Sequence, residues 1–233
     1  MTSGATSAAP DYGAAFARWR AASAGPWADY TTHAFVEGLR DGTLPRAAFL
    51  HYLRQDYVFL IHFSRAWALG VAKADNLDEM KACAATVNAL VNEEMRLHVE
   101  TCAAAGISEA ELEATIEAPA NLAYTRYVLE AGYSGDFLDL ITALAPCVLG
   151  YGEIGARLAR DATSKTYEDW IGTYGGADYQ DLCRDVGALI DGALTRRYDA
   201  DYAALPRFAS LSARFDAATR LEVSFWDMGL AGG

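Results

Sequence analysis

Cysteine, histidine and positive charge are all scarce in this sequence. Its 233 residues include four cysteines (Cys83, Cys102, Cys147 and Cys183) and four histidines (His33, His51, His62 and His98). No two cysteines form a CxxC pair, so the usual zinc spacings are missing. Lysine and arginine total 19 against 31 aspartates and glutamates, a net charge of −12. A chain so acidic repels phosphate, which argues against nucleic acid or an anionic membrane as a partner. The opening MTSGATSAAPDYG has neither the positive n-region nor the apolar h-region of a signal peptide. No run of about 20 apolar residues marks a membrane span. The expected compartment is the cytoplasm, with the thiols reduced.

Also missing are a period-two strand pattern, an internal repeat and a Gly- or Pro-rich linker long enough to divide the chain. Helical periodicity is present instead, in a chain that is 52% apolar and long enough to bury a full core. Residues 1–10 are expected to be a disordered tail, and 11–233 a single all-α domain of about eight helices. TLPRAAFLHYLRQDYVFLIHF opens on Thr43 and Pro45 as cap and first-turn residues, and carries Phe49, Leu53, Phe59, Leu60 and Phe63 on one stripe. A second helix repeats Leu77, Met80, Ala84, Val87 and Val91 and stops at Gly106. Ser108 to Glu111 spell a capping box. From Gly135 to Asp161 the stripe is Leu140, Leu144, Cys147, Tyr151, Ile154 and Leu158.

Three polar groups interrupt these stripes, on three different helices. Burying such a group without a partner costs about 1–3 kcal/mol, so each needs a reason. Asp56 lies among Tyr52, Leu53, Phe59 and Leu60. It is either tied to an Arg or Tyr or placed for a ligand. Glu222 shares a face with Phe215, Ala218 and Phe225, and Phe225 and Trp226 would desolvate it. A desolvated carboxyl suits a general acid near neutral pH, but a buried, paired glutamate has the same pattern. Cys147 follows Pro146. It is either a small core residue or a nucleophile. The helix either kinks at the proline or restarts there; a restart would put the thiol in a first turn, where the helix dipole lowers its pKa. Tyr124, Tyr151 and Tyr174 punctuate apolar helices and suggest an aromatic pocket for a flat ligand with polar edges.

Taken together, HAFVEGLRDGTL, LRQDYVFL, NLAYTRYVLE, APCVLGYGEIG and EVSFWDM, in that order from His33 to Met228, resemble the thiaminase II (TenA) family. The resemblance implies an all-helical fold of the heme-oxygenase type without heme, usually a homotetramer, with no metal or other cofactor. It implies hydrolysis of 4-amino-5-aminomethyl-2-methylpyrimidine to the hydroxymethyl pyrimidine, with slower cleavage of thiamine. The family's nucleophile matches Cys147, its acid/base glutamate Glu222 and its pyrimidine-anchoring aspartate Asp56. Its pocket tyrosines match Tyr124, Tyr151 and Tyr174, and Phe225 flanks the glutamate. One position departs: where members often carry a tyrosine that supports the cysteine, this chain has Phe59.

Two other functions fit the sequence. Glu94 and His98, four residues apart on a helix, could share a metal, with His33 as an axial ligand of a heme or metal oxygenase. A second carboxylate–histidine pair for a di-iron site is missing. A non-catalytic binding protein or regulator that kept the pocket is the other alternative.

Overall fold

Helix starts in this chain are written in its caps. Asn76 accepts from the backbone N–H groups of Asp78 and Glu79, while Ser108/Glu111 and Asp136/Asp139 form reciprocal capping boxes. Pro119 and Pro206 occupy first helical positions, where a missing N–H costs nothing. The computed structural model describes residues 10–232, so the tail expected at the N-terminus lies almost wholly outside the described residues.

Among the described residues the helices are α1 (Ala14–Ala22), α2 (Ala24–Thr31), α3 (Ala34–Asp41), α4 (Arg46–Lys73) and α5 (Leu77–Ala89). A π-helical segment, Leu90–Glu94, leads directly into α6 (Met95–Ala104). There follow α7 (Glu109–Glu113), α8 (Pro119–Ser134), α9 (Phe137–Asp161), α10 (Glu168–Gly175), α11 (Ala177–Tyr198) and α12 (Pro206–Ala231). No strand occurs among them, so the all-α expectation is borne out. The helices outnumber the expected eight. Ser23 and His33 divide the N-terminal stretch, Gly176 separates α10 from α11, and the π segment divides what looked like one helix.

The centre of the bundle is α9, packed by α4, α8, α10, α11 and α12. It runs unbroken through Pro146. By length and composition α9 is apolar enough to cross a membrane, unlike the sequence expectation, but 89% of its most apolar window is buried inside the protein. Burial all round explains the hydropathy. Thr43 does not cap α4, because its hydroxyl donates to Asp41 and Pro45 takes the cap position.

The α5 stripe is turned the other way. Leu77, Met80 and Val91 are exposed, and the inward face carries Glu79, Cys83 and Leu90. Glu79 can be fully buried because Arg196 and Arg197 both donate to it, at 2.6 and 2.7 Å. Those pairs hold its carboxyl down to about 2 against the pull of burial.

Candidate active site

Three helices aim residues singled out on the apolar stripes at the middle of the bundle. Asp56 and Phe59 come from α4, Cys147 and Tyr151 from α9, and Tyr174 from α10. All five line one cavity of about 490 Å³, measured with its open mouth. Its enclosed part is about 40 Å³. Glu94, from the π segment, Thr86, from α5, and Tyr179, from α11, add to its polar lining, and among the described residues no lysine or arginine reaches it.

Asp56 is 6% exposed, and burial pushes its carboxyl up to about 7, with the Tyr52 hydroxyl pulling the other way. His98 stands behind it. Its Nε2 donates to the Leu53 carbonyl at 2.7 Å, which leaves Nδ1 facing Asp56 Oδ2 at 3.6 Å.

Cys147 is half-buried on the cavity wall. Burial raises its thiol well above the ordinary value, and the charges of Glu222, Asp56 and Glu94 add to the effect. A first-turn position at Pro146 would have lowered it, but α9 does not restart there, so no helix N-terminus serves the thiol. Cys147 is therefore favoured as the thiol, and its ionisation needs nearby positive charge or a base that takes the proton.

Glu222, Tyr124 and Phe225 do not line this cavity. They form a layer that meets the cavity at Phe59, whose ring centroid lies 5.2 Å from that of Tyr124 and 5.5 Å from that of Phe225. Of the three residues expected to line one pocket, Asp56 and Cys147 line this cavity, and Glu222 stands in the adjoining layer within electrostatic reach of both. Its Oε1 accepts from the Tyr124 hydroxyl at 2.7 Å, which holds it within the aromatic layer at 1% exposure. Among the charges, Glu222 raises the Cys147 thiol most. Burial pushes its own carboxyl up to about 8, with Tyr124 opposing and Asp56 adding to the rise. A carboxyl in that range can give or take a proton at neutral pH.

The far wall is aromatic. Tyr151 meets Tyr174 edge-on at 4.9 Å, and Tyr174 meets Tyr179 at 4.9 Å. Phe59 carries no hydroxyl to the thiol; it stacks on Phe63 at 5.4 Å. The histidines weighed as metal ligands are engaged elsewhere. His33 Nδ1 accepts from the Phe35 amide and caps α3, while its Nε2 lies 3.2 Å from Asp227. Among the described residues no three His, Cys, Asp or Glu side chains gather as a metal-binding group.

Sequence reasoning missed two lining residues. Tyr179 was one tyrosine among thirteen, although its position four before Cys183 on one helix face was a signal. Glu94 was weighed only as a metal ligand, and its spacing of four from Leu90, which also lines the cavity, was the signal.

Fold and site together define an all-helical protein with a thiol and buried carboxyls in an aromatic pocket. The chain belongs to the TENA/THI-4/PQQC family, whose model matches residues 20–232. It is 35% identical over 205 residues to an aminopyrimidine aminohydrolase of Halalkalibacterium halodurans, covering 87% of this chain and 89% of that one. It is 62% identical, with a TM-score of 0.93, to the crystal structure of a TenA family transcription regulator from Silicibacter sp. TM1040, covering 94% of this chain and 97% of that one. A protein with a heme oxygenase-like fold from Shewanella denitrificans matches at a TM-score of 0.68 and 14% identity, over 91% of this chain and 90% of that one, which shows the fold alone.

Proposed function

We propose that this protein is an aminopyrimidine aminohydrolase of thiamine salvage. It converts 4-amino-5-aminomethyl-2-methylpyrimidine and water to the hydroxymethyl pyrimidine and ammonia, and cleaves thiamine more slowly. The observation that carries the reading is Cys147, without a hydrogen-bond partner among the described residues, in an aromatic cavity whose ionisable groups are all acids. Such a cavity suits a flat ligand that brings protons. The family and the aminohydrolase name of a 35%-identical relative support the same choice.

In this reading the tyrosine wall orients the ring. Asp56 accepts from the amidine edge and favours its protonated form. Cys147 loses its proton to ionised Glu222 and adds to the ring carbon beside the substituted one, which breaks the aromaticity. The electron pair then expels the amine from the exocyclic carbon, and Glu222 returns the proton to it. Glu222 next deprotonates a water that attacks the same exocyclic carbon. The thiolate departs as aromaticity returns. The protein works in the cytoplasm, as a homotetramer, without nucleic acid or membrane partners.

The test is turnover of both compounds by purified protein, followed by chromatography. Fast conversion of the aminomethyl pyrimidine, slow cleavage of thiamine and loss of both in Cys147→Ala are expected. Near-normal turnover in Cys147→Ala would remove the nucleophile. Binding of both compounds without conversion would make the protein a binding or regulatory one.

A further inference from the structure

Glu94 is a carboxylate with no visible employment in the protein. It lines the cavity beside Asp56, Cys147, Tyr174 and Tyr179. It is half-buried, and among the described residues it neither accepts a hydrogen bond nor pairs with a cation. Its immediate electrostatic neighbour is another acid, Asp56, itself 6% exposed. Facing carboxyls in a poorly hydrated pocket repel one another, and desolvating an acid without a donor is unfavourable. A folded protein keeps such an arrangement at a cost in stability, which calls for a compensating role.

The backbone at Glu94 is itself unusual. Glu94 ends the π segment, where the Met95 N–H reaches back five residues to the Leu90 carbonyl. Single π turns within helices frequently occur at functional sites. Here the wide turn keeps Thr86, Leu90 and Glu94, spaced by four, on the cavity side. It also lets His98, four further on, stand against Asp56.

We propose that Glu94 binds the protonated amine carried on the substrate's side arm, and so selects the cationic aminomethyl substrate over the neutral hydroxymethyl product. This rests on the hydrolase reading for the identity of the two ligands. The chemistry is a charge-assisted hydrogen bond from ammonium to carboxylate, in a cavity with no other cation to satisfy the acid. The selection has a use. Before the bond breaks, the arm passes one proton to Glu94, so that the leaving group is the neutral amine that Glu222 protonates, and Glu94 gives its proton to the released ammonia. Conversion replaces the ammonium arm by a hydroxyl, the contact with Glu94 weakens, and the product leaves. Glu94 holds the arm, whereas Glu222, in the adjoining layer with Tyr124, serves the thiol, the leaving amine and the water.

Calorimetric titration of the full-length protein with each pyrimidine tests this, in a Cys147→Ala background that prevents conversion. That background is expected to bind the aminomethyl compound at least about tenfold more tightly than the hydroxymethyl compound, the ratio typical of one charge-assisted bond. Adding Glu94→Gln should abolish the preference and leave affinity for the hydroxymethyl compound within about twofold, which also reports that the pocket is intact. Glu94→Ala gives the same readout if the glutamine variant does not fold. Equal weakening of both ligands, or an unchanged preference, overturns the proposal. The two readings fail separately. No turnover by the unsubstituted protein would sink the hydrolase while leaving the binding comparison valid, and an unchanged preference would sink the role of Glu94 alone.

Discussion

Glu222 links function to stability through one proton. Its carboxyl stands at about 8 in the folded protein against an ordinary 4.5. Between those values the folded chain keeps a proton that the unfolded chain has released. Stability is therefore greatest below the ordinary value and falls as pH rises toward 8. Glu222→Gln removes that titration while keeping an acceptor for the Tyr124 hydroxyl. The variant should gain melting temperature over the unsubstituted protein at pH 8.5 but not at pH 4.5, by about 2–4 °C for each kcal/mol in a chain of this size. Its turnover should fall by on the order of 10²–10⁴-fold. Thermal melts at the two pH values decide it: a difference independent of pH would show that Glu222 does not titrate in this range. Asp56, Cys147 and Glu222 could be singled out in the sequence because each breaks an apolar stripe. Glu94 could not be singled out the same way, because its helix shows its apolar stripe to solvent and a charge there looks ordinary. That Glu222 accepts from the Tyr124 hydroxyl was equally hidden, since helical spacing fixes a face of α12 but not what α8 sets against it.

At the scale of elements, the site depends on how closely α10 approaches α9. Gly155 makes that approach possible: a Cβ there would lie 2.3 Å from the backbone carbonyl carbon of Tyr174. Backbone cannot yield as a flexible side chain can, so Gly155→Ala must push α10 outward and carry Tyr174 with it. Overpacking of this kind costs about 1–3 kcal/mol. The expected result is a lower melting temperature with a raised KM for the aminomethyl pyrimidine, and kcat lowered less than KM is raised. A lower melting temperature with unchanged KM would mean that Tyr174 is not needed to hold the ring. The sequence made α9 itself legible through its stripe from Leu140 to Leu158, and α7 through its capping box. It left the fate of Pro146 open, because a proline inside a helix is tolerated or not according to what surrounds it. Here α9 runs through it unbroken, buried among five other helices, and the Tyr30 hydroxyl donates to the Pro146 carbonyl itself at 3.4 Å. The π segment had no sequence signature at all, since it is set by tertiary contact and not by propensity.

For the whole molecule, the outward stripe of α5, the π segment and α6 matters most. Leu77 is 61% exposed, Val91 52% and Leu97 51%, on the same continuous helical stretch whose inner side walls the cavity. Apolar residues gathered on one face commonly mark an interface, and the family resemblance implies a tetramer. The expected mass by light scattering is four times the 25.1 kDa chain. Each chain carries −12, so copies repel at low ionic strength, and salt that screens the repulsion should tighten the assembly. Val91→Lys with Leu97→Glu should yield a smaller species while helicity is kept, because neither side chain enters the core. The same stretch also holds Glu94 and Leu90 against the cavity, so a loosened interface should raise KM in the same double variant. A mass unchanged by both substitutions would place the interface on another face, and a smaller species with unchanged KM would show that α5 and α6 hold the wall of the cavity without help from a neighbouring copy.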